Sequence, residues 1–238
     1  MVFVKICGVT KLTSLQACIK YGADAVGFVV GVPESPRNLS EIQAHDLISV
    51  VPRSVQTVVV SSVYSCHEVE YLAARFPNSY IQVHFRCRHP RFEDLYTLNL
   101  EHIVPALNAS QAISLAPHLP AFQKILMRIP YLLIDGSAGK GQLETMPLLQ
   151  AAVTHLQPYK VVLAGGLHPK NLLQILENVQ PYGVDVSSGV ELAPGLKSIE
   201  KIKEFLWIAK NFTRNPGTFL ISHLSKEDLI QKELNTHD

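Results

Sequence analysis

Short apolar runs alternate with helical stretches from the start of the chain to about residue 210, and this alternation narrows the fold more than any other feature. The run Ala25-Val26-Gly27-Phe28-Val29-Val30 is almost continuously apolar, as a strand covered on both faces should be. Residues 2–7, 25–30, 55–60, 80–84, 101–107, 131–135, 161–164 and 183–187 read as strands. Residues 12–21, 41–51, 67–75, 147–156, 169–179 and 199–210 read as helices, with a short element at 112–119. Ser40 precedes one helix as a cap, and Pro169 sits in the first turn of another. Eight strand-then-helix units predict an α/β fold, a single closed (β/α)8 TIM barrel at the compact end of its size range. An open doubly wound sheet fits less well, because no G-x-G-x-x-G follows the first strand. The barrel is expected over residues 1–210. Residues 211–238 form a short C-terminal extension, either a helix near 225–234 or a tail.

Composition removes several function classes. The formal net charge is +1 and only 17% of the 238 residues are charged, so no field draws the chain to nucleic acid or to a membrane surface. No apolar run approaches the ~18 residues of a membrane span. The first residues carry no secretory pattern, and Cys7, Cys18, Cys66 and Cys87 are scattered without paired spacing. Reduced thiols in the cytoplasm are therefore expected. Cys87 and His89 have no second ligand pair, so no metal site is expected.

In a parallel barrel the loops after the strands carry the chemistry. Cys7, in Val4-Lys5-Ile6-Cys7-Gly8, falls at the end of the first strand. Such a thiol is either a small core residue or a base or nucleophile. Lys5 lies two residues before it on the same face, where it would favour the thiolate. Asp135 ends the sixth strand after four apolar residues; it is either a loop-bracing acid or a general acid in the barrel mouth. Gly165 and Gly166 end the seventh strand, and Ser187, Ser188 and Gly189 end the eighth. Glycine N–H groups and serine hydroxyls at these two strands suit a phosphate group. Arg37, in a loop held by Pro33 and Pro36, can meet a carboxylate in fork geometry. Gln82 and His84 share one face of the fourth strand and are candidates for substrate contact. Arg86, Arg88 and Arg91 read as solvated loop charges.

Taken in order, Val4-Lys5-Ile6-Cys7-Gly8, Gly22-Ala23-Asp24-Ala25-Val26-Gly27-Phe28, Ser35-Pro36-Arg37, Gln82-Val83-His84, Leu163-Ala164-Gly165-Gly166-Leu167 and Gly183-Val184-Asp185-Val186-Ser187-Ser188-Gly189-Val190-Glu191 resemble the phosphoribosylanthranilate isomerase family of tryptophan biosynthesis. The resemblance implies an Amadori rearrangement of a phosphoribosyl-anthranilate to the corresponding ribulose phosphate. It implies Asp135 as the acid and Cys7 as the base. Lys5, Arg37, Gln82, His84 and Asp185 would bind substrate, with Arg37 on the anthranilate carboxylate. Gly165, Gly166, Ser187, Ser188 and Gly189 would bind the phosphate. It implies no cofactor, a small phosphosugar-anthranilate substrate as the partner, and a monomer or homodimer.

The chain departs from the family pattern after Asp135, where Gly136-Ser137-Ala138-Gly139-Lys140-Gly141-Gln142-Leu143 lacks an aromatic pair, and at Phe85, where the family has glycine. A barrel acting on another phosphosugar, or a phosphate-binding regulator without catalysis, is the alternative reading.

Overall fold

The computed structural model describes residues 1–85, 98–136 and 144–213. Its eight principal strands are β1 (Phe3–Ile6), β2 (Ala25–Val30), β3 (Gln56–Val63), β4 (Tyr80–Phe85), β5 (Ile103–Asn108), β6 (Leu132–Asp135), β7 (Val161–Ala164) and β8 (Gly183–Val186). Each pairs in parallel with the next. β1 also pairs with β8, Lys5 standing opposite Asp185 and opposite Ala25 of β2. The sheet therefore closes on itself and has no exposed edge along this ring.

The helices follow the strands: α1 (Leu12–Lys20), α2 (Glu41–Ser49), α3 (Cys66–Arg75), α4 (Ala109–Leu115), α5 (Leu119–Leu126), α6 (Met146–His155), α7 (Pro169–Asn178) and α8 (Ile199–Asn211). Ser40 caps α2 as expected, accepting from Gln43 N while the Gln43 side chain accepts from Ser40 N. Two expectations need correction. Residues 100–102 form a 3-10 turn, so β5 starts at Ile103 and not at residue 101. The helical stretch after β5 spans far more than 112–119. Asn108 caps α4 through a reciprocal pair with Gln111, and a 3-10 turn at Ala116–His118 joins it to α5. Pro117 and Pro120 lack the N–H that a continuous helix needs there.

Two cores result. Outward strand residues such as Ile6, Val26, Ile81 and Leu163 pack beneath the helices. Inward residues fill the barrel in two smaller clusters, one around Cys7, Ala25, Val29, Val58 and Val60, the other around Val104, Leu133, Val162 and Ala164. Phe3, Tyr80 and Tyr131 pack below them, with the Phe3 and Tyr131 rings 5.5 Å apart. α8 closes the circle: Lys210 bonds to Asp24, which also accepts from Val4 N.

The barrel interior also holds an ion pair. Lys5 has no exposed surface and donates to Asp185 Oδ2 at 2.8 Å. Burial works to lower the Lys5 pKa, but Asp185 outweighs it, and the ammonium is held above its ordinary value. Removing one partner of such a pair strands the other charge in a low-dielectric interior. Lys5→Ala should therefore lower unfolding stability by ~3–5 kcal/mol, read as a fall in the urea midpoint with an unchanged slope. A loss below about 1 kcal/mol would show that Asp185 is hydrated without its partner.

Candidate active site

The carboxyl ends of the strands open into a cavity of about 390 Å³, within the ~300–1,000 Å³ range of small-molecule sites. Cys7, Asp135, Arg37, Gln82, His84 and Asp185 all line it, with Gly165, Gly166, Ser187 and Ser188 along one side. The remaining two candidates lie elsewhere. Lys5 is sealed beneath the floor on Asp185, and Gly189 packs against the Leu167 carbonyl, where a Cβ would sit 1.8 Å from its oxygen. Residues 86–91, residues 137–143 and the extension expected beyond residue 213 lie outside the described residues.

Cys7 continues the β1 ladder, its N–H donating to Val186 O at 2.8 Å, and the residue is 8% exposed. The room for its sulfur comes from Gly27 of β2, where a Cβ would stand 2.8 Å from Cys7 Sγ. Burial pushes the Cys7 thiol above its ordinary value; Lys5 pulls it down, Asp185 raises it again, and Lys197 pulls it down. The expected help from Lys5 is present, but burial outweighs it.

His84 accepts or donates at Nε2 with Gln82 Nε2, 3.0 Å away. Burial holds the His84 pKa below its ordinary value, against the pull of Asp135, so the ring is neutral at neutral pH. Two buried acceptors at the cavity, Gln82 Oε1 and Asp185 Oδ1, have no hydrogen-bond partner among the described residues. Such atoms are acceptors awaiting a donor.

Gly165 and Gly166 both have left-handed backbones, with φ of 84° and 64°, a conformation that favours glycine. Asn171 braces this turn: its Nδ2 donates to Gly166 O at 3.0 Å, and its Oδ1 accepts from His168 N at the start of α7.

Arg37 reaches the cavity already engaged. Its Nε and Nη2 donate to Glu191 Oε1 and Oε2 at 2.8 and 2.7 Å. Glu191 also accepts from Lys197 at 2.8 Å, and Lys197 donates to Ser187 O at 3.0 Å. Glu191 and Lys197 are paired across a short hairpin, Glu191–Ala193 with Leu196–Lys197. Burial pushes Glu191 up, but the Arg37 fork and Lys197 outweigh it and hold the carboxylate below its ordinary value. Burial draws Lys197 below its ordinary value despite Glu191. The asymmetry has a cause: the carboxylate has two cations, whereas Lys197 has one anion. Residue-by-residue reading missed Glu191, Lys197 and Asn171. The available signals were the Pro194-Gly195 turn, which folds Glu191 back onto Lys197, and Asn171 three residues after His168.

A closed parallel barrel with a polar mouth and glycine and serine turns at its last two strands defines a (β/α)8 barrel with a small-molecule site at its carboxyl-terminal face. Comparison with known proteins goes further. A family model described as N-(5'-phosphoribosyl)anthranilate isomerase matches residues 4–207. The N-(5'-phosphoribosyl)anthranilate isomerase of Geobacter metallireducens is 35% identical over 216 residues, 88% of this chain and all of that one. The Haloferax volcanii isomerase is 31% identical over 211 residues, covering 88% of this chain and 94% of its own. The crystal structure of phosphoribosyl anthranilate isomerase from Thermotoga maritima superposes with a TM-score of 0.73 at 29% identity, covering 89% of this chain and 100% of that one. A phosphoribosyl anthranilate isomerase solved in complex with reduced 1-(o-carboxyphenylamino)-1-deoxyribulose 5-phosphate gives 0.72 at 29% identity, with the same coverage. This chain belongs to the N-(5'-phosphoribosyl)anthranilate isomerase family.

The state of Cys7 can be titrated directly. Alkylation by iodoacetamide, followed at Cys7 by mass spectrometry, should rise through an inflection above the ordinary thiol value of about 8.5. Lys5→Met should move the inflection higher still, because a cation that stabilises the thiolate is gone. An inflection below 8.5, or a downward move in Lys5→Met, would contradict this balance.

Proposed function

We propose that the chain converts N-(5-phospho-β-D-ribosyl)anthranilate to 1-(2-carboxyphenylamino)-1-deoxyribulose 5-phosphate, an internal redox isomerisation in tryptophan biosynthesis. The observation that carries the proposal is a thiol and a carboxyl group, Cys7 and Asp135, at one cavity with the Gly165-Gly166 and Ser187-Ser188 turns in a member of this family.

Substrate phosphate is assigned to the backbone of Gly165, Gly166 and Ser188 and to the serine hydroxyls, where the left-handed Gly165 and Gly166 let the chain approach closely. The anthranilate carboxylate is assigned to Arg37. Asp185 Oδ1 and Gln82 Oε1, buried acceptors at the cavity, are assigned to sugar hydroxyls, and neutral His84 sits beside Gln82 as a further polar contact. Lys5 acts from below, on Asp185 and Cys7, without touching substrate.

Asp135 gives its proton to the ribose ring oxygen. The C1–O bond breaks and the nitrogen lone pair forms a cationic imine at C1. Cys7, as thiolate, removes the proton from C2, and the C–H electrons move into a C1=C2 bond as the nitrogen regains its pair. The resulting enolamine loses its O2 proton and gains one at C1. C2 is oxidised to the ketone and C1 is reduced, so electrons balance within the substrate. The substrate nitrogen is the electron sink, and the chemistry calls for no cofactor. A proton next to a cationic imine is acidic enough for the minor thiolate fraction that Lys5 and Lys197 favour.

The cytoplasm and a monomeric or homodimeric state fit this role. Scattered thiols support the first, and among the described residues no helix is long and apolar enough to cross a membrane.

The substrate is fluorescent, and purified protein should abolish that signal in freshly made substrate. Cys7→Ala and Asp135→Asn should each lower kcat/KM by at least ~10² while leaving the urea midpoint within experimental error. Unchanged fluorescence with the parent protein would overturn the assignment. Near-normal turnover in either variant would move that role to another residue.

A further inference from the structure

Arg37 is given a substrate carboxylate to hold, yet it already holds the carboxylate of Glu191. A guanidinium has two edges that can each meet a carboxylate in a fork. Glu191 takes the side edge, Nε with Nη2. The end edge, Nη1 with the second Nη2 proton, has no hydrogen bond to any described residue, and Arg37 lines the cavity with about a fifth of its side chain exposed. The side-edge grip thus leaves a recognition edge free.

Charge makes the same point. Arg37 and Glu191 alone sum to zero, and an incoming carboxylate would meet a second carboxylate nearby. Lys197 corrects this. It has no exposed surface on its side chain and pairs with Glu191 Oε1 at 2.8 Å, so the three groups together carry +1. Lys197 is held in turn by Ser187, donating to its carbonyl at 3.0 Å and approaching its hydroxyl at 3.3 Å. Lys201 donates to Glu191 O at 2.7 Å and fixes the backbone of the same hairpin. Close packing seals the arrangement: a Cβ on Gly195 would lie 2.4 Å from Pro36 O, and one on Gly8 would lie 2.5 Å from Arg37 Cδ. Thr10 also donates to Gly195 O at 2.9 Å. The loops after β1, β2 and β8 are thus locked around one arginine.

We infer that Glu191 and Lys197 are positioning residues for the isomerase reaction: Glu191 aims the end edge of Arg37 at the substrate carboxylate, and Lys197 neutralises Glu191 so that the edge keeps a net positive charge. Neither touches substrate. The inference rests on the assignment of the anthranilate carboxylate to Arg37.

A positioning role separates from a structural one in kinetics. In Glu191→Gln, KM for the phosphoribosyl-anthranilate should rise at least about tenfold, with kcat within about threefold of the parent. The inhibition constant of inorganic phosphate, which occupies only the other end of the site, should stay within about twofold. In an Arg37→Ala background the same substitution should change kcat/KM by less than about twofold, because Glu191 then has nothing to aim. Glu191→Asp keeps a charge for Lys197 while drawing it back from Arg37, and should show the same rise in KM if Glu191→Gln does not fold. The inference is overturned if kcat falls in step with kcat/KM, if the phosphate constant rises equally, or if the loss is the same in both backgrounds. An inactive parent protein would instead overturn the reaction assignment, so the two failures are distinct.

Discussion

The ion pair between Lys5 and Asp185 is the constraint on which the rest of the molecule turns. It joins the first barrel strand to the last, at the register where the sheet closes. A one-residue slip of either strand would turn that strand's charge outward into the apolar shell beneath the helices and leave the other unpaired inside the barrel. The pair therefore favours one closure of the barrel over its neighbours, a specificity that hydrophobic side chains alone give less sharply. It also sets the electrostatics of the floor. Lys5 works against the burial of the Cys7 thiol, and Asp185 keeps at the cavity one carboxylate oxygen without a partner among the described residues.

Above that floor the site divides into two groups of residues. The glycine and serine turns after β7 and β8 offer backbone and hydroxyl groups, shaped by the left-handed Gly165 and Gly166 and braced by Asn171. A second group of residues is ionic, built from Arg37, Glu191 and Lys197. Ser187 belongs to both, since it lines the cavity and accepts from Lys197. A substrate with a phosphate at one end and an aromatic carboxylate at the other fits this division, and Cys7 and Asp135 line the same cavity.

Much of this was legible because barrels put chemistry at strand ends. Asp135 follows an apolar run, Cys7 and Ser187 follow runs broken by a single charge, and the alternation of Gln82 and His84 with Ile81 and Val83 shows one polar face. Less visible was what depends on distant pairing. A lysine in a strand reads as a surface or cavity residue; its burial follows only from an aspartate 180 residues away. Arg37 and Glu191 are likewise 154 residues apart, so the guanidinium could be recognised as a carboxylate binder without its first carboxylate being known. The helical stretch after β5 was underread for a local reason. Pro117 and Pro120 interrupt the helical pattern; a 3-10 turn takes Pro117, and Pro120 falls in the first turn of α5.

The most direct test is a crystal structure of this chain with the reduced product analogue 1-(o-carboxyphenylamino)-1-deoxyribulose 5-phosphate. The phosphate should lie at Gly165, Gly166 and Ser188, the carboxylate on the end edge of Arg37 with Glu191 still on its side edge, and the sugar C2 within contact of Cys7 Sγ. A carboxylate that displaces Glu191 from Arg37, or a sugar lying away from Cys7, would contradict it.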